Sequence, residues 1–477
     1  MIEVSPFAGL PVAVFGLGRS GLSAARALAA AGADVWAWDD AEDSRARAEA
    51  AGISLVDLYG CNWSALKSLV LAPGVPLNYP APHPMVDLAR RADCEVIGDI
   101  ELLVRTMGDA RYIGITGTNG KSTTTALVGH ILAFAGHDVA VGGNLGIPVL
   151  DLEPLRTGTY VLELSSYQID LTISLTCDVA ALLNITPDHI ERHGDLAGYA
   201  AVKKDIFRGQ AEAQVAVVCV DDEWCQRICH ELEDGGDQRV IPVAVGRKIS
   251  GGVYVVDGIL HDDTEGEDDP VIDLAAIATL PGAHNWQNAA AAFAMARVSQ
   301  VPAAMIAACL RSFPGLAHRQ ERLAVIDGVT YVNDSKATNA ASTARALDCY
   351  APIYWIAGGR AKAGGIDDLA SRFSRIRHAF LIGEAAGDFA ETLGDAAAHS
   401  QCGDLETALG EAAAMAFNDG DFGAVVLLSP ACASFDQFAD FEVRGDAFRA
   451  LVAALPGERA MLAEHQPLDH SAAGIIH

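Results

Sequence analysis

The segment YIGITGTNGKSTTTALVGHILAFAG, residues 112–136, places an apolar strand pattern before a glycine-rich loop and a helical pattern. The loop ends in Gly120, Lys121 and Ser122, and it approximates the G-x-x-x-x-G-K-[ST] phosphate loop, except that Ile115 stands at the first glycine position. The amides of such a loop can bind phosphates, the lysine can reach the terminal phosphates, and the serine can ligate Mg²⁺. The segment therefore predicts a nucleoside triphosphate site on a parallel α/β domain.

A second glycine-rich turn precedes this segment, in VAVFGLGRSGLSAARALAAAGADVWAWDD at residues 12–40. Glycines 16, 18 and 21 stand between a strand pattern and a helical pattern, and Asp39 ends the next apolar run. This is the dinucleotide fingerprint, in which the glycines form a tight turn and the helix N-terminus suits a phosphate. A nicotinamide-dependent dehydrogenase is one hypothesis, but it accounts for this stretch alone. The pattern leaves open which phosphate binds.

Length and composition describe a multidomain enzyme. The chain has 477 residues, which is longer than a domain with a single hydrophobic core usually is, so two or three domains are expected. Acidic residues number 62 against 33 basic ones, for a net charge of −29, which argues against nucleic acid or an anionic membrane as partner. We find no signal peptide pattern and no membrane-span pattern, and the ten cysteines lack a regular spacing. We expect a cytoplasmic protein.

Apolar strand patterns alternate with alanine-rich helical patterns along most of the chain, which predicts an α/β fold of parallel sheets flanked by helices. Strand patterns restart at residue 112 and again after residue 313. We therefore expect three domains, with boundaries at 1–107, 108–313 and 314–477.

Candidate metal ligands follow two strand patterns of the central segment. Glu163 ends the run YVLE, and Asn184 ends the apolar part of VAALLNIT. Asp188 and His189 come in the turn after it. The ends of parallel strands are where α/β enzymes gather their sites, and an acid at such a position is the usual partner of a phosphate-loop Mg²⁺. We expect Glu163 and His189 to lie at the site.

Nine motifs, taken in chain order, resemble those of the Mur ligases, the ATP-dependent amide-bond-forming enzymes of bacterial peptidoglycan synthesis. The resemblance covers essentially the full chain, and its last two motifs favour the members that add D-glutamate. The motifs are GITGTNGKST at 114–123, GGNLG at 142–146, ELSSYQ at 163–168, NITPDHIERH at 184–193, YAAVKKDIF at 199–207, GAHNWQNAAAA at 282–292, FPGLAHR at 313–319, NDSKATN at 333–339 and LLSPACASFDQF at 427–438.

The resemblance implies a Rossmann-like N-terminal domain for a UDP-precursor, a central P-loop ATPase-type domain for ATP, and a Rossmann-like C-terminal domain for the incoming amino acid. For the UDP-precursor it implies Gly18, Arg19, Ser20, Asp39, Asp40, Pro73, Gly74 and Asn144. For ATP it implies Gly117, Thr118, Asn119, Gly120, Lys121, Ser122, Thr123, Asn288, Arg319 and Asp334. For D-glutamate it implies Lys336, Thr338, Lys362, Ser434 and Phe441.

The implied reaction transfers the γ-phosphoryl group of ATP to the carboxylate of UDP-N-acetylmuramoyl-L-alanine, and the amine of D-glutamate then attacks the acyl phosphate. The implied catalytic residues are Lys121, His189 and Lys203, with Lys203 carbamylated by CO₂. Two Mg²⁺ ions would be held by Ser122, Glu163, His189 and Lys203. Lys204 is adjacent, so the register of the modified lysine stays open at this point.

Three other hypotheses remain. A P-loop protein used for binding or regulation would release phosphate without any amino acid. Another Mur-type ligase would keep the chemistry and change the amino acid, although the C-terminal segment lacks the Asp-Asn-Pro-Arg run of the diaminopimelate-adding enzyme. A folate polyglutamate ligase would not need the N-terminal glycine turn. We expect a monomer that takes two small-molecule substrates besides ATP.

Overall fold

The structure is a computed structural model that describes residues 1–362, 364–421 and 423–460. It divides into two compact units. The first consists of Met1–Leu274 with Asn285–Arg311, and the second of Ala275–His284 with the described residues from Ser312 onward. The three-domain division stays a prediction, and residues 461–477 of its third segment lie outside the described residues.

The N-terminal sheet of the first unit is parallel throughout its described strands, in the order β2-β1-β3-β4. Gly21 lies on the first helix at its contact with the strand turn, where an added Cβ would come 1.8 Å from the Gly16 carbonyl oxygen. Only glycine permits this close packing of helix on strand. The elements are β1 (Pro11–Phe15), α1 (Arg19–Ala30), β2 (Asp34–Trp38), α2 (Glu42–Ala50), β3 (Ser68–Leu71), α3 (Pro84–Arg91), β4 (Glu95–Ile97) and α4 (Asp99–Thr106).

The larger sheet of the first unit has the order β13-β12-β11-β10-β9-β8-β5-β7-β6 in the described part of the chain. Its strands are β5 (Arg111–Thr116), β6 (Val139–Gly143), β7 (Thr159–Glu163), β8 (Val179–Leu182), β9 (Val215–Cys219), β10 (Arg239–Val245), β11 (Val253–Val256), β12 (Ile259–Asp262) and β13 (Asp269–Asp273). The helices between β5 and the second unit's sheet are α5 (Lys121–Phe134), α6 (Ser166–Asp170), α7 (Ile190–His193), α8 (Leu196–Lys204), α9 (Glu223–Gly235), α10 (Ala283–Val298) and α11 (Ala303–Ser312).

The prediction of a parallel central sheet is confirmed from β6 to β11 and is wrong at the other edge, where β12 and β13 pair antiparallel. β11 and β12 are joined by Asp257 and Gly258, both with positive φ, at 51° and 83°. A two-residue turn of this kind makes a hairpin, in which the two strands run antiparallel.

The sheet of the second unit has the order β18-β17-β16-β19-β15-β14-β20 among the strands described. It is parallel from β18 to β15, and β14 pairs antiparallel with both neighbours. The strands are β14 (Glu321–Ile326), β15 (Val329–Asn333), β16 (Ile353–Gly358), β17 (Ile376–Ile382), β18 (His399–Gly403), β19 (Val425–Leu428) and β20 (Arg459–Ala460). The α-helices are α12 (Ala340–Cys349), α13 (Ala386–Leu393), α14 (Leu405–Asp419) and α15 (Phe441–Ala454), and a 3₁₀ helix spans Asp367–Arg375.

Apolar side chains are buried on both faces of the sheets, as helices on two sides require. In the first unit one continuous core joins the two sheets, because Val14 and Val70 of the small sheet belong to the same cluster as Leu162 and Leu182 of the large one. Within the described ranges, no helix is both long enough and apolar enough to cross a membrane.

Candidate active site

The predicted phosphate loop lies between β5 and α5, and its backbone takes conformations that favour glycine. Gly117 and Gly120 have φ of 153° and 86°. A Cβ added at Gly120 would come 2.2 Å from the Asn288 side-chain oxygen, so helix α10 closes one side of the loop. Asn184, after β8, accepts a 2.9 Å hydrogen bond on its side-chain oxygen from the amide of Asn119. The loop is therefore held in place before any ligand binds.

Two lysines donate to the same loop carbonyl. Lys121 Nζ donates to the carbonyl oxygens of Gly117 and Thr118, each at 2.9 Å. Lys203 Nζ, from helix α8, also donates to the Gly117 oxygen at 2.9 Å, and to Thr116 Oγ1 at 3.3 Å. Two ammonium groups on one carbonyl repel each other, so this arrangement favours a neutral amine at one of them.

Lys203 is the buried member of that pair, with 1% of its surface exposed. Desolvation first, and then the nearby Lys121 charge, hold the pKa of the Lys203 amine well below its ordinary value. Lys204 points elsewhere, because its exposed ammonium donates to Glu231 Oε2 at 2.6 Å. Of the two lysines left open by the sequence, Lys203 is therefore the one that lies at the phosphate loop.

Glu163 ends β7 and is buried, with 2% of its surface exposed. Ser122 Oγ donates to its Oε2 at 2.6 Å, and Asn144 Nδ2 donates to its Oε1 at 2.7 Å. One carboxylate thus lies against the phosphate-loop serine on one side and the asparagine after β6 on the other. Carboxylate and hydroxyl oxygens are the donors that Mg²⁺ prefers, so this pair fits a magnesium ion.

No group of three or more His, Cys, Asp or Glu side chains forms a metal site within residues 1–362, 364–421 and 423–460. The ligand set expected from the sequence includes only two residues of those types, Glu163 and His189, together with Ser122 and a modified Lys203. The described geometry brings Ser122 and Glu163 into direct contact, and Lys203 of α8 donates to Gly117, in the loop that precedes Ser122.

His189 lies in the turn before α7 and is half-exposed, with a left-handed φ of 52°. Its Nε2 is 3.6 Å from Asp188 Oδ2, and its ring centroid is 5.1 Å from that of Tyr167 on α6. Ring contacts continue from Tyr167 to His193 at 5.8 Å and from His193 to Tyr199 at 5.4 Å. Since Lys203 Nζ lies 4.6 Å from the Tyr199 ring, this row of rings connects His189 to the buried lysine.

His193 is buried, and its Nε2 lies 2.9 Å from Ser166 Oγ. Desolvation, with smaller contributions from the Lys203 and Arg192 charges, lowers the pKa of the His193 ring to about 4. The ring is therefore neutral near pH 7.

In the N-terminal sheet, Asp39 braces the glycine turn. Its carboxylate accepts from the Leu17 amide at 2.6 Å and from the Ala41 amide at 2.8 Å. Asp40 faces outward instead, where Tyr59 OH donates to it at 3.0 Å and His83 Nε2 lies 3.2 Å away. Gly18 caps α1, and Arg19 and Ser20 form its first turn, so the N-terminus of the helix is available to a phosphate.

The turn after β3 contains Pro73 and Gly74. Arg192 of α7 donates from Nη2 to the Pro73 carbonyl oxygen at 3.1 Å and also to that of Val75. The turn that the sequence assigns to the UDP-precursor is thus bonded directly to the helix that follows His189.

Within the second unit, Lys336 Nζ lies 3.6 Å from the centroid of the Phe441 ring, so two of the residues predicted to bind D-glutamate are in contact. Ser434 is buried, whereas Lys362 is exposed. Thr338 is close to Lys336 along the chain, and its amide donates to the Lys336 carbonyl at 2.8 Å.

Asp334, also in the second unit, is buried, and its carboxylate accepts from Ser429 Oγ at 2.8 Å and from the Gln320 amide at 3.1 Å. Desolvation raises the pKa of this carboxyl to about 7, which the two hydrogen bonds and the Arg319 charge partly oppose.

Three side chains at these sites carry contacts that the sequence did not assign: Tyr167, Arg192 and Arg444. Tyr167 and Arg192 belong to the motifs ELSSYQ and NITPDHIERH, so the motifs marked the region without indicating their contacts. Arg444 is buried in the second unit and donates to Ser335 Oγ at 3.0 Å and to the Cys432 carbonyl at 3.0 Å.

Comparison with known proteins gives concordant matches. The family described as Mur ligase middle domain matches residues 115–296. The UDP-N-acetylmuramoylalanine–D-glutamate ligase of Caulobacter sp. is 53% identical over 462 residues, covering 95% of this chain and 98% of that protein. The protein of the same name from Rhodospirillum rubrum is 52% identical over 466 residues, covering 96% and 98%.

Solved structures share the fold at low sequence identity. A UDP-N-acetylmuramate-alanine ligase from Thermotoga maritima matches with a TM-score of 0.59 at 16% identity, covering 93% of this chain and 99% of that one. A pseudomurein peptide ligase type C from Methanothermus fervidus matches with a TM-score of 0.52 at 17% identity, again covering 93% and 99%.

Proposed function

The chain belongs to the Mur ligase family, and from this membership we infer that it is an ATP-dependent ligase that joins D-glutamate to UDP-N-acetylmuramoyl-L-alanine in peptidoglycan synthesis. The observation that carries this conclusion is identity above one half over nearly the whole chain with ligases of that name. The contact of Ser122 with Glu163 beside the phosphate loop supports it independently, because it provides the nucleotide and metal chemistry that a ligase of this kind needs.

We propose that the three sheets bind the three substrates in chain order. The Rossmann-like N-terminal domain, 1–107, would hold the uridine diphosphate of the precursor at the glycine turn and at Pro73 and Gly74. The P-loop domain, 108–313, would hold ATP, and the Rossmann-like domain at 314–477 would hold D-glutamate at Lys336, Thr338, Lys362, Ser434 and Phe441. The assignment of the uridine diphosphate to the N-terminal domain is supported by the exposed N-terminus of α1, which lies beside a glycine turn that Asp39 holds by a hydrogen bond to Leu17.

For ATP, the proposal rests on a loop that is already shaped for phosphates. Lys121 now bonds to two loop carbonyls, and we propose that its ammonium moves to the terminal phosphates when ATP binds. Asn288, which lies against Gly120, would contact the nucleotide from α10. The remaining proposed ATP ligands are Gly117, Thr118, Asn119, Ser122, Thr123, Arg319 and Asp334.

Magnesium and a carbamate are proposed at the same place. Ser122 and Glu163 supply hard oxygen donors, and His189 and a carbamylated Lys203 would complete the ligands of two Mg²⁺ ions. A neutral amine is the form that adds CO₂, and the depressed pKa of buried Lys203 supports that form. When bound, the ions would supply positive charge that lowers the cost of bringing an anionic carboxylate to a triphosphate.

The reaction needs no nucleophilic side chain. The precursor carboxylate forms a bond to the γ-phosphorus as the bond to the β-phosphate oxygen breaks, which yields an acyl phosphate and ADP. The amine of D-glutamate then forms the amide bond, inorganic phosphate leaves, and the amine loses a proton. The Lys121 ammonium stabilises the negative charge on the phosphoryl group as it is transferred. Lys336 binds a carboxylate of D-glutamate.

All ten cysteines are free thiols, which supports a reducing compartment, and we propose that the enzyme works as a monomer in the cytoplasm. Light scattering on a sizing column tests the oligomeric state. A mass near 49.9 kDa supports a monomer.

The decisive experiment supplies ATP, Mg²⁺ and UDP-N-acetylmuramoyl-L-alanine with a panel of amino acids and determines the product mass. We expect phosphate release and a product heavier by one glutamate residue only when D-glutamate is present. A product carrying another residue would overturn the substrate assignment. Phosphate release without any amino acid would instead support a regulatory nucleotidase.

A further inference from the structure

Arg192 bridges two parts of the first unit to which the proposed function gives different tasks. Its side chain is buried, with 9% of the residue exposed. Nη2 donates to the carbonyl oxygens of Pro73, at 3.1 Å, and Val75, in the turn after β3. Arg192 itself lies on α7, three residues beyond His189. One guanidinium therefore joins the turn after β3, which we propose binds the diphosphate, to the segment after β8 that contains His189.

The same guanidinium packs on Tyr167. Its carbon lies 4.8 Å from the centroid of the Tyr167 ring, a distance at which a cation is attracted to an aromatic face. The Tyr167 ring also contacts the His189 ring, with centroids 5.1 Å apart. Tyr167 therefore lies between the arginine and the histidine, on the short helix α6 that begins three residues after Glu163.

The backbone of His189 makes its orientation dependent on such neighbours. Its φ of 52° lies in the left-handed region, which costs free energy for a residue other than glycine and persists only where the surroundings impose it. The ring is half-exposed, and its closest charged neighbours, at 3.6 and 3.9 Å, are the exposed carboxylates of Asp188 and Glu191. Tyr167 is the aromatic surface against which the ring can be aligned.

We propose that Arg192 is a positioning residue, which couples the Pro73–Val75 turn to His189 through Tyr167. The inference rests on the proposed function, because that function assigns the turn to the uridine diphosphate and His189 to the reacting end. Seating of the diphosphate fixes the turn, the turn fixes the guanidinium, and the guanidinium holds the Tyr167 ring that aligns His189. Recognition of the nucleotide handle thereby contributes to kcat as well as to binding, the pattern expected when remote binding energy is used at the reacting centre.

The test is steady-state kinetics of Arg192→Met with UDP-N-acetylmuramoyl-L-alanine, ATP and D-glutamate. We expect kcat to fall about 10- to 100-fold, the range expected for a small misplacement at a reacting centre, and KM for the UDP-precursor to rise about fivefold. KM for ATP should change by less than about twofold, because the described contacts of Arg192 are with the Pro73–Val75 turn and Tyr167 rather than with the phosphate loop. Arg192→Lys should recover part of kcat, since an ammonium retains the charge over Tyr167.

Arg208→Met is the matched control. Arg208 also donates to a carbonyl oxygen, that of Thr172 at 3.2 Å, and pairs with Asp205, so the same substitution removes a comparable cation of the first unit outside the bridge. Its kinetic constants should equal those of the wild type. Unchanged kcat and KM in Arg192→Met, with an active wild type, would overturn the inference alone. A wild type that makes no glutamate adduct would overturn the proposed function instead.

A double-mutant cycle separates coupling through Tyr167 from simple loss of packing. Tyr167→Leu removes the shared ring, and the double variant with Arg192→Met should lose no more kcat than the worse single variant. Additive losses in kcat would overturn the inference. Where Arg192→Met is unfolded at the assay temperature, the same cycle with Arg192→Lys gives the same two outcomes.

Discussion

Lys121 and Lys203 share one acceptor, because the ammonium of each donates to the Gly117 carbonyl oxygen at 2.9 Å. The two lysines come from different helices, α5 and α8, yet they meet at the phosphate loop. The shared acceptor places Lys203, whose amine has a lowered pKa, next to Lys121, which is suited to bind phosphates. The next two predictions follow from this relationship.

Lys121→Ala should reduce turnover by at least about a hundredfold, because it removes the cation that we propose balances charge on the transferred phosphoryl group. The fold should persist, since the loop amides stay anchored by Asn184. Phosphate release reports activity, and circular dichroism reports the fold. Appreciable residual turnover in a folded variant would contradict the phosphate-loop assignment.

Lys203→Ala should be inactive and should regain part of its activity when formate, acetate or propionate is added, because a small carboxylate can occupy the place of the proposed carbamate. The matched control is Lys204→Ala, which removes an exposed ammonium paired with Glu231 and should keep wild-type activity. Loss of activity without rescue would count against the carbamate while leaving the ligase function in place.

Much of the fold could be predicted from local patterns. The apolar strand patterns before Gly16, before Asp39, at residue 112, in YVLE and in VAALLNIT do form β1, β2, β5, β7 and β8. The antiparallel edges were missed because strand alternation with helices was extended over the whole chain. The sequence held a signal for them, since Asp257-Gly258 and Asp327-Gly328 are both two-residue Asp-Gly turns with positive φ, the strongest short hairpin signal.

The candidate site was predictable where one motif supplies both its backbone and its chemistry, as at Gly117, Gly120 and Lys121. It was not predictable where a contact joins distant parts of the chain. Arg192 reaches Pro73, 119 residues away, and no local pattern encodes that acceptor. The role of Asp39 in bracing Leu17 likewise depends on how β2 ends beside β1.

Asp39→Asn should weaken binding of free UDP about 10-fold and destabilise the first unit by about 1–3 kcal/mol, because an amide cannot accept from both backbone N–H groups that the carboxylate now satisfies. Asp40→Asn is the matched comparison, since Asp40 is exposed and its carboxylate contacts the side chains of Tyr59 and His83. Its effect on unfolding should be below about 0.5 kcal/mol. Titration calorimetry measures UDP binding and urea unfolding measures stability, and an equal loss of unfolding free energy in the two variants would contradict the bracing role.

His193 predicts a loss of stability in acid. Burial lowers the pKa of its ring to about 4 in the folded chain, whereas the unfolded chain binds a proton near the ordinary value of 6.5. The unfolded state therefore takes up more protons as the pH falls from 6.5 to 4, which favours unfolding by about 3 kcal/mol over that range. His193→Gln, which can still bond Ser166, should flatten this dependence in urea unfolding of the first unit. An unchanged slope between pH 6.5 and 4 would contradict it.

Glu163→Gln should raise the Mg²⁺ concentration needed for half-maximal activity by about 10-fold or more. The substitution keeps the shape of the side chain and an oxygen acceptor for Ser122 or Asn144, but it removes the negative charge that a divalent cation requires. Phosphate release measured over a series of MgCl₂ concentrations tests this. Glu231→Gln, an exposed glutamate paired with Lys204, should leave the Mg²⁺ dependence unaltered. If Glu163→Gln and the wild type share one Mg²⁺ dependence, Glu163 does not bind the metal, and its carboxylate serves only to hold Ser122 and Asn144.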